Sequence, residues 1–118
     1  MTTWNLQQTQ CHFLLCNGGS CMKQGGEEVT QAIRDEVTKL GADKLIHTTR
    51  TRCNGRCADA CVVIAYPQGV WYKNITPETG RLLVHKHLEG SRLEEQIVYS
   101  YEREFIASGL SIEGIAKG

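Results

Sequence analysis

Residues 53–72 read Cys53-Asn-Gly-Arg-Cys57-Ala-Asp-Ala-Cys61-Val-Val-Ile-Ala-Tyr66-Pro-Gln-Gly-Val-Trp-Tyr72. Val62 to Tyr66 is a short run of β-branched and apolar residues, the pattern of a buried strand. Pro67-Gln68-Gly69 then supplies a preset φ and a residue tolerant of positive φ, which is turn chemistry. Val70-Trp71-Tyr72 resumes the strand pattern, so the stretch predicts an antiparallel hairpin. Ahead of it, Cys53 and Cys57 bracket a three-residue turn containing Gly55.

Working outward, His12 to Leu15 is an apolar run ending at Cys16, followed by Asn17-Gly18-Gly19-Ser20 and Cys21. This reads as strand then loop. Val29, Ile33, Val37 and Leu40 recur at helical spacing. Glu27 and Glu28 suit the positive end of that helix, Lys39 suits the negative end, and Gly41 stops it. Asp43 to Thr51 predicts a second strand. Thr76-Pro77-Glu78 offers an N-cap, a proline at the first helical position and an early acid, opening a helix that stops at Gly90. The order is β-α-β-β-α, an open α/β arrangement with a mixed sheet.

Residues 91–118 stand apart from a first unit of residues 1–90. Ser91 and Glu94 form a possible capping box, and Leu93, Ile97, Tyr101 and Phe105 recur every four residues. This predicts a third helix closed by Gly109, in preference to a strand through Ile97-Val98-Tyr99.

The bounds narrow the function. The 118 residues make about one domain, with 41% hydrophobic content and thirteen basic residues balancing thirteen acidic ones. That balance does not indicate nucleic acid or a membrane surface as partner, and no apolar stretch is long enough to span a bilayer. The polar start, Met1 to Gln10, lacks a basic n-region and an apolar h-region, so a cytoplasmic protein is expected. In that reducing compartment six cysteines point to metal or redox chemistry rather than to disulfides.

Two loops at one end of a small sheet can present Cys16 with Cys21, and Cys53 with Cys57, to a shared centre. Four thiolates are the ligand count of a [2Fe–2S] cluster. Structural zinc favours C-x2-C knuckles, and the other ferredoxin classes need C-x2-C-x2-C or C-x4-C-x2-C; none of these occurs. A Rieske centre would need two paired histidines, and a thiol oxidoreductase a C-x-x-C dithiol, also missing.

Cys16-x4-Cys21 with Cys53-x3-Cys57, the Val62–Tyr72 hairpin, Thr76-Pro-Glu78 and His87-Leu-Glu-Gly90 together resemble the thioredoxin-like [2Fe–2S] ferredoxins. They are also similar to the small subunit of respiratory complex I and NAD-linked hydrogenases. The resemblance covers residues 11–90. It implies a thioredoxin-like fold and a [2Fe–2S] cluster on Cys16, Cys21, Cys53 and Cys57. It further implies a one-electron carrier with no catalysis of its own, and a homodimer. The x4 spacing is that of the enzyme subunits, but their N-terminal helical extension is missing, which favours the free-standing carrier. The alternative is an accessory protein dedicated to a biosynthetic or redox enzyme, for instance in a cofactor pathway such as cobalamin synthesis. Cys11 and Cys61 are left over, and a buried packing role is expected for them.

Arg50, Arg52 and Arg56 crowd the second loop and Lys23 follows the first. A cluster going from net −2 to −3 on reduction is favoured by nearby cations. One arginine at ~8 Å and an effective dielectric of ~30 contributes about 1.4 kcal/mol, or roughly 60 mV. A basic rim would also steer a redox partner with an acidic docking face.

Overall fold

The computed structural model describes residues 3–117. Its strands are β1 (Cys11–Cys16), β2 (Ile46–Thr51), β3 (Val63–Tyr66), β4 (Val70–Tyr72), β5 (Ile97–Tyr101) and β6 (Phe105–Ala107). The helices are α1 (Gly19–Lys23), α2 (Gly26–Lys39) and α3 (Pro77–Leu88). One six-stranded sheet has the order β2-β1-β3-β4-β5-β6, with β1 and β2 parallel and every other pair antiparallel.

Side chains alternate across a strand, and β1 shows it: Cys11, Phe13 and Leu15 are buried while His12 and Leu14 are only partly covered. Val29, Ile33 and Val37 of α2 and Leu83 and Val84 of α3 join them in one core with Val63, Ile64 and Val70. The helix starts are as the sequence predicts for α3. Thr76 accepts from the Thr79 amide, the Thr79 hydroxyl accepts from the Thr76 amide, and Pro77 takes the first position, where its missing N–H costs nothing. Among the described residues no helix is long and apolar enough to cross a membrane.

The helix expected over residues 91–109 does not form. Glu94–Gln96 make a single 3₁₀ turn, and the chain then adds β5 and β6 to the sheet. The four-residue spacing misleads because two of its members, Tyr101 and Phe105, are about half exposed, at 52% and 48%. What decides is the free edge of β4. Its backbone groups need partners, and Ile97, Val98, Tyr99 and Tyr101 are strand-favouring residues. Val70 pairs with Ser100 and Trp71 with Tyr99 as a result.

The hairpin turn is locked against this added strand. Gly69 has φ +71°, and a Cβ placed on it would lie 2.7 Å from Cβ of Tyr101, while the Tyr101 amide donates to the Gly69 carbonyl at 2.8 Å. Gly69→Ala combines a left-handed backbone with this overlap. It is expected to destabilise the protein by about 2–4 kcal/mol, read from the midpoint of urea unfolding.

Candidate metal centre

Parallel pairing of β1 with β2 sets the site. Cys16, the last residue of β1, lies opposite Thr51, the last of β2. The two chains therefore leave the sheet side by side, one toward Cys21 and the other toward Cys53. The Asn17 amide donates to the Thr51 carbonyl at 2.9 Å, carrying the pairing one step past the strands. Gly18 passes directly over Cys53, so closely that a Cβ on it would sit 2.7 Å from Cα of Cys53. Only glycine allows the loops to touch in this way.

The first loop is not wholly irregular, as the sequence suggested. Residues 19–23 form α1, which carries Cys21 inward. Cys57 begins a 3₁₀ turn, Cys57–Asp59. Cys16, Cys21, Cys53 and Cys57 all line one small cavity with Gly18, Ser20, Arg56 and Val62. They form two pairs. Sγ of Cys53 is 3.5 Å from Sγ of Cys57, and Cys16 and Cys21 are close enough to shift each other's titration. Among the described residues no three His, Cys, Asp or Glu side chains converge as they would around a single ion. Two pairs instead suit a binuclear cluster, in which each iron takes two protein ligands.

The pairs differ in exposure. Cys16 and Cys21 are 5% and 3% exposed, whereas Cys53 and Cys57 reach solvent. Burial works against the Cys16 thiolate, yet the Gly18 amide, the Cys21 thiol and both the amide and side chain of Asn54 outweigh it, so its pKa falls below the usual thiol value. Burial pushes Cys21 up to about 12, and the neighbouring Cys16 adds to this. The Gly55 amide points at Sγ of Cys53 from 3.3 Å, the kind of N–H donor that stabilises a ligating sulfur.

Cys11 and Cys61 sit outside the cavity, in the core. Cys11 is fully buried and burial pushes its thiol up to about 12. The Cys61 thiol, also raised by burial, lies 3.3 Å from the Cys21 carbonyl and 3.4 Å from that of Gln24. It thus donates to the carbonyl end of α1, bracing the helix that carries Cys21.

The basic residues are less free than the sequence implied. Arg50 is paired with Glu27 at 2.5 Å. Arg56 is paired with Asp59 at 2.7 Å, with side chains 14% and 1% exposed. Arg52 and Lys23 make no ion pair among the described residues. Sequence reading missed Asp59, although opposite charges at i and i+3 were the available signal. Asn54, which donates to the Thr51 hydroxyl at 2.7 Å and so pins the second loop to β2, carried no such signal.

Comparison with known proteins identifies the family. The family model for thioredoxin-like [2Fe-2S] ferredoxin matches residues 3–87. A Priestia megaterium protein named as a 2Fe-2S ferredoxin is 51% identical across 99% of this chain and 94% of its own. A 2Fe-2S ferredoxin of Aquifex aeolicus is 37% identical across 70% of this chain and 75% of its own. The solved structure of a thioredoxin-like [2Fe-2S] ferredoxin from Aquifex aeolicus superposes with a TM-score of 0.75 at 29% identity, covering 80% of this chain and 94% of that one. The chain belongs to the thioredoxin-like [2Fe-2S] ferredoxin family and is an electron carrier with a [2Fe-2S] cluster.

Proposed function

We propose that Cys16, Cys21, Cys53 and Cys57 are the four ligands of this cluster, and that Cys53 and Cys57 mark the side through which electrons pass. The observation that carries the reading is the shared cavity, lined by one buried and one exposed pair of thiols from two touching loops. The cluster supplies a one-electron redox couple. The protein's part is to hold four thiolates, aim amides at the sulfurs and keep the inner pair from solvent. The chain carries electrons and catalyses no reaction of its own.

The same reading includes a cytosolic setting, where all six thiols stay unpaired. It includes a homodimer, supported by exposed Phe105 and Ile106 on β6 at the end of the sheet. Sedimentation velocity tests the dimer. The redox partner presents an acidic face toward Arg52 and Lys23, the cations of the rim that no carboxylate neutralises among the described residues.

Protein purified without air is expected to contain two irons and two sulfides per chain and to give an S = 1/2 EPR signal only after reduction. Stoichiometric zinc without sulfide would sink the assignment. Replacing any one of Cys16, Cys21, Cys53 or Cys57 by Ala should abolish or strongly weaken the visible cluster spectrum. Cys11→Ala and Cys61→Ala should keep it, with a loss of stability of about 1–3 kcal/mol at these buried positions. Metal analysis and absorption on the six variants check both halves.

Arg52→Gln is expected to slow reaction of the reduced protein with an anionic small-molecule oxidant about two- to threefold at low salt, from one charge at ~8 Å in water. The difference should vanish in high salt, and should be absent with a neutral oxidant. Stopped-flow rates across ionic strength provide the check.

A further inference from the structure

Arg56 has more partners than a rim cation needs. It lies inside the turn between Cys53 and Cys57 and lines the cysteine cavity. Its Nε donates to Oδ2 of Asp59 at 2.7 Å, and its Nη2 donates to the Ile112 carbonyl at 2.7 Å, fifty-six residues away. The guanidinium stacks over the Tyr99 ring of β5, 5.4 Å from its centroid. Gly114 follows so closely that a Cβ there would lie 3.0 Å from Nη1.

Apart from Asp59, these partners come from a segment that the family model, ending at residue 87, does not include: Tyr99, Ile112 and Gly114. The segment is stitched to β5 before it reaches Arg56. The Ser108 hydroxyl donates to the Ile97 carbonyl at 2.6 Å, and the Ser111 hydroxyl donates to the Val98 carbonyl at 3.1 Å. The Lys73 ammonium holds the Leu110 carbonyl from the side. A buried carboxylate, Asp59, completes the grip from below. Burying a charge is costly unless it is paired, so Asp59 and Arg56 hold each other in one place.

We propose that residues 112–117 are a clasp for the second ligand loop: the Ile112 carbonyl and the Asp59 carboxylate together fix the Arg56 guanidinium against the cysteine cavity. Arg56 and Ile112 are thus positioning residues for the outer thiolate pair. The clasp limits opening of the Cys53–Cys57 turn, which slows loss of the cluster. It also keeps one cation at a fixed place near a centre that gains negative charge on reduction.

This rests on the ligand assignment proposed above. The test uses the loaded full-length protein, a truncation after Ser111, Arg56→Gln, Arg56→Lys, and the truncation combined with Arg56→Gln. Truncating there leaves the Ser108 and Ser111 stitches in place, and far-UV circular dichroism verifies the fold. Two quantities are measured: the rate at which a chelator bleaches the visible spectrum, and the reduction potential. The truncation and Arg56→Gln should each speed bleaching about tenfold, the worth of one charge-assisted hydrogen bond, and each should lower the potential. In the combined variant the truncation should change neither quantity further. Arg56→Lys should keep most of the potential but not the slow bleaching, since an ammonium lacks the fork needed to reach both oxygens. A truncation that alters neither quantity, or effects that add in the combined variant, would overturn the clasp. An unweakened cluster spectrum in Cys57→Ala would instead overturn the ligand assignment.

Discussion

The parallel ladder between β1 and β2 is the constraint on which the centre depends. Parallel strands must be joined by a crossover, and α2 provides it. Both strands then run in the same direction and end together, with Cys16 against Thr51. An antiparallel pair would have sent the two loops to opposite ends of the sheet, some 17–20 Å apart for strands of this length. The helix buries Val29, Ile33 and Val37 beneath the same strands, so the core that fixes the ladder also fixes the distance between the thiol pairs.

Much of this was legible because the signals are local. The hairpin at Val62–Tyr72, the capped start of α3 and the helical period of α2 each rest on residues adjacent in the chain. So do the two cysteine spacings. Residues 91–109 were misread because their fate is set by a distant partner. Nothing between Ser91 and Gly109 shows that β4 has an unsatisfied edge, and the i, i+4 pattern there imitates an amphipathic helix. The short helix α1 was missed for another reason. Five residues carry too little periodicity to be seen, and α1 is held by the Cys61 thiol from across the core.

Charge around the centre illustrates the same divide. Counting arginines in the sequence suggests a strongly basic rim, but ion pairs depend on side chains brought together in space. Glu27 on α2 meets Arg50 on β2, and Asp59 meets Arg56 within the second loop. Asp59 offsets much of the field that Arg56 would exert alone. What net charge the rim keeps comes from Arg52 and Lys23, which make no ion pair among the described residues.

The separation of the two cysteine pairs along the chain also bears on synthesis. Cys21 leaves the ribosome thirty-two residues before Cys53. At about 5–20 residues per second this is an interval of roughly two to six seconds. During it the first pair has no second loop to close against, and β1 has no parallel neighbour. Iron arriving then would find the thiols of Cys11, Cys16 and Cys21 and open coordination positions. The four-cysteine cavity exists only later, once β2 has docked and Gly18 lies across Cys53, so the order of translation sets the earliest moment at which the container is whole.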